Sequence, residues 1–230
     1  MVFVAVACMT QAAIGFGGNL ISMPLVALVE PDLVPGAVLI AVTAQNTLMM
    51  LRDRESIQVK SVSNALVGRF AGTVVAIAVL RQISEDGLQV AVAVTVLVLV
   101  AVTTIDLAPR RTTATMIGAG TISGFFAATA GIGGPPVALM FHKDPGPDIR
   151  GSMGGFFVVG TSITIVGLAL ADRLGAYELR WGLALMPAAL LGFLLSGPLL
   201  PIVDRGYTRP AILVVSTGAA LGIVVRLLVG

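Results

Sequence analysis

Charged side chains are scarce in this sequence. They make up 11% of its 230 residues, against about 25% in an ordinary soluble domain, and the mean hydropathy is +1.00. That excludes a soluble globular domain and predicts an all-α integral membrane protein. Cysteine is nearly absent. The single Cys8 excludes an intramolecular disulfide and any Cys-built zinc or iron–sulfur site; it reads as a small apolar helix residue. The one histidine, His142, stands beside Lys143 and Asp144 at the end of an apolar run and reads as interfacial. A net charge of +2 suggests no nucleic-acid partner.

Carboxylates are missing where a proton relay would need them. All twelve acidic residues lie in loops or at the ends of apolar runs, so none stands at mid-depth to carry a proton. There is no Gly-x-Ser-x-Gly, no His–Glu helix pair and no buried pair of aspartates. An intramembrane enzyme is therefore not expected, and no metal or cofactor is implied.

What the chain has is long uncharged runs. A span needs about 20 apolar residues, and six stretches qualify: Leu33–Leu51, Ser61–Leu80, Gly87–Ile105, Gly151–Ala171, Trp181–Val203 and Pro210–Val225. Two further runs, Met1–Val29 and Thr112–His142, carry no Asp, Glu, Lys or Arg and are broken at their centres by glycines. The breaks are Gly15-Phe16-Gly17-Gly18-Asn19 and Gly131-Ile132-Gly133-Gly134-Pro135, set 116 positions apart (15 to 131). A broken helix frees backbone N–H and C=O groups, which the bilayer tolerates only where they are buried in protein or line a wet cavity. Close helix packing is the plain alternative for one such cluster; two at matching places favour a site. The start of the chain lacks a basic n-region, and Met1–Ile14 reads as mature structure.

Each broken run is either one kinked span or a re-entrant hairpin. An arm of 13 residues, Val2–Ile14, is roughly 20 Å long at about 1.5 Å per residue. It passes the midplane of a core about 30 Å thick without crossing it. With hairpins, Arg52, Arg54, Lys60, Arg110, Arg111, Lys143, Arg150, Arg205 and Arg209 collect on one side and only Arg81, Arg173, Arg180 and Arg226 on the other. Full spans give a more even split, so the excess of Lys and Arg on the cytoplasmic face favours hairpins. A hairpin plus three spans makes an odd number of crossings, so the second half would be inverted. The expected plan is two inverted repeats in a single membrane domain, residues 1–108 and 112–230, joined by a basic linker at 109–111. Leu66-Val67-Gly68 against Leu190-Leu191-Gly192, and Val79-Leu80-Arg81 against Val203-Asp204-Arg205, support the repeat.

In the hairpin reading each return arm begins near the midplane, with unpaired N–H groups and the positive end of its dipole. That is an anion site. Asn19 is expected to act as an N-cap, and Pro135-Pro136 to occupy a first helical turn, where no N–H is needed. Polar residues bracket both tips: Thr10, Gln11 and Ser22 around the first, Thr129 before the second, Gln45, Asn46 and Thr47 in the next element, and Thr161 and Ser162 at the corresponding place in the second half. Arg69 lies near the middle of Ser61–Leu80, where an Arg costs on the order of 2.5 to 3.5 kcal/mol to insert. Its counterpart in the repeat is Phe193, so the scaffold does not require a cation at both places. Bidentate recognition of an oxyanion is the reading for Arg69, with pairing to backbone carbonyls as the structural alternative.

These stretches resemble the TauE/SafE family of sulfite exporters, also called the four-toluenesulfonate uptake family. The resemblance rests on Gly15-Phe16-Gly17-Gly18 followed by Met23-Pro24-Leu25, and on Gly131-Ile132-Gly133-Gly134 followed by Pro135-Pro136. Gly68-x-x-x-Gly72 and Pro187-x-x-x-x-Gly192 look like the family's small-residue helices. The resemblance covers almost the whole chain. It implies a secondary transporter of sulfite, sulfonates or related sulfur oxyanions in a bacterial inner membrane, embedded in lipid, with assembly as a homodimer left open. The chain departs from the family where many members carry a third glycine, at Asn19 and Pro135. The substrate-contacting residues so expected are Gly15, Gly17, Gly18, Asn19, Asn46, Arg69, Gly131, Gly133, Gly134, Pro135 and Thr161. An anion channel, or a carrier of carboxylates, is the alternative.

Overall fold

The computed structural model describes residues 1–82, 109–141 and 143–200, with four single positions between 87 and 98. The expected span Gly87–Ile105 apart from those four positions, the expected span Pro210–Val225, the match at Val203-Asp204-Arg205 and His142 lie outside the described residues. Everything described is helix, turn or loop. The helices are α1 (Val2–Ile14), α2 (Gly18–Val29), α3 (Gly36–Arg52), α4 (Val59–Leu80), α5 (Thr113–Ala130), α6 (Gly134–Phe141), α7 (Gly146–Leu170) and α8 (Ala176–Leu195). Three of them, α4, α7 and α8, are long and apolar enough to cross a membrane, and α1 and α2 are shorter apolar helices. Both glycine clusters break the helix as expected. The helix expected to run from Trp181 to Val203 stops at Leu195 and is followed by a 3-10 turn, Gly197–Leu199. Pro198 explains the stop, since it offers no N–H and disfavours helical backbone in the residue before it.

The tightest helix pair is α4 with α5. Gly68 and Gly72 of α4 face Gly120 and Gly124 of α5. A Cβ on Gly68 would fall 1.9 Å from the Ile117 carbonyl oxygen, and one on Gly120 would fall 1.9 Å from that of Ala65. Two small-xxx-small seams thus interlock backbone to backbone, the arrangement that association in lipid favours, because lipid tails are as apolar as leucine and only close contact stabilises the pair. In this pair residues 65 to 72 ascend alongside 117 to 124, so α4 and α5 run parallel. The contacts Arg69–Gly160 and Arg81–Leu170 make α7 parallel to both.

A second parallel set runs the other way. Gly182 of α8 packs on Ala37 and Ile40 of α3, and further along Arg52 stacks 5.0 Å from the Phe193 ring. Gln45 of α3 donates to the Cys8 carbonyl of α1 at 3.1 Å, and Gly192 of α8 sits against Ala5 and Met9 of that same helix. Gly154 against Met50 and Gly151 against Asp53 make α3 antiparallel to α7. Large apolar side chains such as Val67, Phe70, Val166 and Leu194 cover the outside of these helices, while glycines and hydroxyls are buried, as suits a surface wetted by lipid.

Candidate functional site

Two helix ends make the first break. Helix α1 stops at Gly15, whose left-handed φ of 103° carries its N–H back to the Gln11 carbonyl. The chain then turns so sharply that a Cβ on Gly18 would fall 2.6 Å from the Ala7 carbonyl oxygen. Gly17, at φ 93°, caps the start of α2. The second break follows the same plan. Gly131 stops α5 at φ 72°, and Gly134 opens α6. L residues with side chains rarely take such φ values. Pro135 and Pro136 do fall in the first turn of α6.

The second broken element returns to its starting end. Arg111, just before α5, donates to the Met140 carbonyl at 2.9 Å and pairs with Asp144, just beyond α6, at 2.7 Å. Phe141 lies under the same guanidinium, 4.5 Å from ring centroid to Cζ. Near the first break, Arg52 and Arg150 reach the carbonyls of Ala12 and Ala13 at the C-terminal end of α1, with Asp53 between them at 3.1 and 3.5 Å. Two cations at the negative end of a helix dipole are favourably placed. The sequence places both among the cations of one membrane face, with no sign of this contact.

The two breaks touch. Asn19 Nδ2 donates to the Gly131 carbonyl at 2.7 Å. This corrects the expectation that Asn19 caps its own helix: no side-chain cap is made at α2, and Gly17 holds the cap position. A Cβ on Gly134 would meet Phe157 at 3.1 Å and Phe16 at 3.6 Å. Between the breaks lies a small cavity, lined by Gly17, Asn19 and Leu20 on one side and Ile132, Gly134 and Pro135 on the other, with Gln11 and Phe157 closing it. Its water-accessible volume is about 10 Å³, roughly the room one water needs. The first N–H groups of each helix have no helical partner. For α2 these are Gly18 and Asn19, since the Leu20 N–H returns to the Gly17 carbonyl at 3.1 Å. For α6 they are Gly133 and Gly134, because Pro135 and Pro136 have none to offer.

The remaining expected site residues are distributed around this centre. Gly15, Gly18, Gly131 and Gly133 shape the turns without lining the cavity. Asn46 touches it through Gln11, whose Nε2 donates to Asn46 Oδ1 at 2.8 Å. Thr161 is 2% exposed on α7, away from the cavity lining. Arg69 is 1% exposed and lies one layer behind the second break. It donates to the Gly160 carbonyl at 3.3 Å, to Ser123 Oγ at 2.9 Å and to Thr164 Oγ1 at 3.2 Å, and its Cζ sits 5.1 Å from the Phe156 centroid. No carboxylate pairs with it among the described residues. Ser123 Oγ passes the contact on by donating to the Gly133 carbonyl. A Cβ on Gly133 would lie 2.2 Å from Arg69 Nη1, so only glycine fits between cation and break. Gln11 is among the polar residues expected around the first tip; Ser123 is not among those expected, although a hydroxyl in an apolar run is the signal that would have found it, and Phe16 and Phe157 gave no signal among so many apolar neighbours.

The arrangement offers backbone donors, two helix N-termini and a buried guanidinium, with no acid beside them among the described residues, and donors of this kind suit an anion. No curated protein and no solved structure matches the chain. A family model described as sulfite exporter TauE/SafE matches residues 1–223. The glycine breaks, the apolar helices and a match over essentially the whole length agree: the chain belongs to the TauE/SafE family of sulfite exporters, which are membrane transporters and not enzymes.

Proposed function

We propose that this protein is a secondary transporter that moves small sulfur oxyanions, sulfite or sulfonates, across a bacterial inner membrane by alternating access, with the anion held between the two glycine breaks. The observation that carries this reading is the meeting of the breaks. The starts of α2 and α6 open onto one shared cavity, and each brings about half a positive charge from its dipole. The N–H groups of Asn19 and Gly134 on the cavity wall bind the oxyanion, with those of Gly18 and Gly133 next in the chain contributing to the positive end of each helix, and Arg69 adds its charge from behind through Ser123 and Gly133. Gly17 and Pro135 bound the space; Asn46 and Thr161 position the helices beside it.

The mechanical part of the reading is an inverted repeat, residues 1–108 against 112–230. It is supported by the two oppositely directed parallel sets, α1, α3 and α8 against α4, α5 and α7, in which α1, α3 and α4 have the second-half counterparts α5, α7 and α8 running the opposite way. Rocking of such halves about a central site gives alternating access. A cavity with room for one water fits a closed state between the two open ones. The test is uptake and binding by the purified, reconstituted protein with sulfite, thiosulfate, sulfonates and carboxylates. Saturable flux with counterflow for a sulfur oxyanion is expected. Unsaturable flux would mean a channel, and preference for carboxylates would move the substrate class.

A further inference from the structure

The cavity between the breaks offers acceptors as well as donors. Two of the side chains lining it are amides, Gln11 and Asn19. In each the nitrogen is already committed: Asn19 Nδ2 donates to the Gly131 carbonyl at 2.7 Å, and Gln11 Nε2 donates to Asn46 Oδ1 at 2.8 Å. The first bond settles which way the Asn19 amide points, because a carbonyl oxygen only accepts and the nitrogen must face it. Asn19 Oδ1 is left buried without a partner. Gln11 is 3% exposed and lines the same cavity, and its Oε1 lies 2.7 Å from the position of a Cβ on Gly18. The asymmetry of the repeat makes this a property of one side, since Pro135 stands where Asn19 would recur and brings no polar side chain.

An anion made only of acceptors suits the backbone N–H groups but meets two amide oxygens with nothing to give them. A buried acceptor left unmatched disfavours such a ligand, whereas a ligand that carries a donor satisfies it. We propose that the site selects oxyanions bearing a hydrogen-bond donor of their own, a protonated oxygen or an amine next to the sulfur oxyanion, and that Asn19 and Gln11 are the residues that make the selection. This rests on reading the breaks as the anion site. The backbone donors take the charged oxygens, and the two amide oxygens take the donor.

The experiment compares ligands matched in charge and size, using calorimetry on the full chain in detergent. Hydrogensulfite is set against methanesulfonate, and N-methylsulfamate against ethanesulfonate, all four as monoanions. The donor-bearing member of at least one pair is expected to bind about tenfold tighter or better, and which pair shows it identifies the donor as hydroxyl or amine. Sulfite binding should strengthen as pH falls and the protonated monoanion accumulates, while methanesulfonate binding stays flat. Gln11→Met, of similar length, should bring the ratio within a pair toward one without abolishing methanesulfonate binding. Equal affinities within both pairs in the wild-type chain would overturn the selection rule and leave the anion site standing. No binding by any of the four would sink the anion site and the rule with it.

Discussion

The side chain of Asn19 reaches across 112 positions of sequence to donate to the carbonyl of Gly131, at 2.7 Å. One hydrogen bond thus ties the first glycine break to the second. It satisfies a carbonyl at the frayed end of α5, where helical partners run out, and it turns Asn19 away from capping its own helix. Nothing returns the favour from the other half, where the corresponding residue is Pro135. The contact between the breaks is one-sided.

Removing this tie should loosen the centre. Asn19→Ala is expected to lower stability by about 1 kcal/mol, the net worth of a typical hydrogen bond, and to reduce transport. Thermal unfolding in detergent and uptake in vesicles read the two effects separately. An unchanged melting temperature together with full uptake would mean that the breaks are held together by packing alone.

The interlocked seam of α4 and α5 gives a prediction with its own control. A Cβ on Gly120 would collide with the Ala65 backbone at 1.9 Å, whereas Gly118, one turn-face away on the same helix, has nothing within 4 Å. Gly120→Ala should cost about 1–3 kcal/mol through overpacking. Gly118→Ala should be neutral or gain up to about 1 kcal/mol of helix propensity. Equal melting temperatures for the two variants would contradict the close approach.

Arg69 holds three acceptors from two other helices. A lysine offers one ammonium group and cannot span them or stack on Phe156 in the same way. Arg69→Lys is expected to insert and fold, to melt at a lower temperature, and to bind sulfite or sulfonate much more weakly. Wild-type affinity in folded Arg69→Lys and Arg69→Gln would place the charge outside the binding site and leave it a structural cation.

Topology is open to direct labelling. In a Cys8→Ala background, single cysteines at Arg110 and Lys143 should label from one face of the membrane, and those at Met1 and Glu30 from the other. The Arg111–Asp144 pair at 2.7 Å motivates the first half of this expectation. Label reaching Arg110 and Lys143 from opposite faces would rule out a re-entrant second element. The same result at Met1 and Glu30 would rule out a re-entrant first one.

The membrane class, the helical content and the positions of the breaks were readable from the chain alone, because each depends on local composition; the family was legible only as a resemblance carried by the two glycine motifs. Scarcity of charge, runs of apolar residues and glycines at a helix interruption need no knowledge of what lies opposite. The Pro135-Pro136 turn was legible for the same reason, as proline's missing N–H is a local fact. Asn19 misled because its cap reading was also local, and the stronger partner came from 112 positions away.

Only the tertiary structure decided which faces meet. In water a buried face announces itself by being apolar, but in lipid both faces of a helix are apolar and the signal vanishes. On α4 the outward positions are Val67, Phe70 and Val74, while Gly68, Arg69 and Thr73 are buried, the reverse of the soluble pattern. Nothing in the order of residues indicates that Arg69 will find Ser123, Gly160 and Thr164, 54 to 95 positions away, or that Gln11 will face the same cavity as Pro135. Those pairings follow from backbones brought together at glycines, and they turn two separate helix breaks into one site.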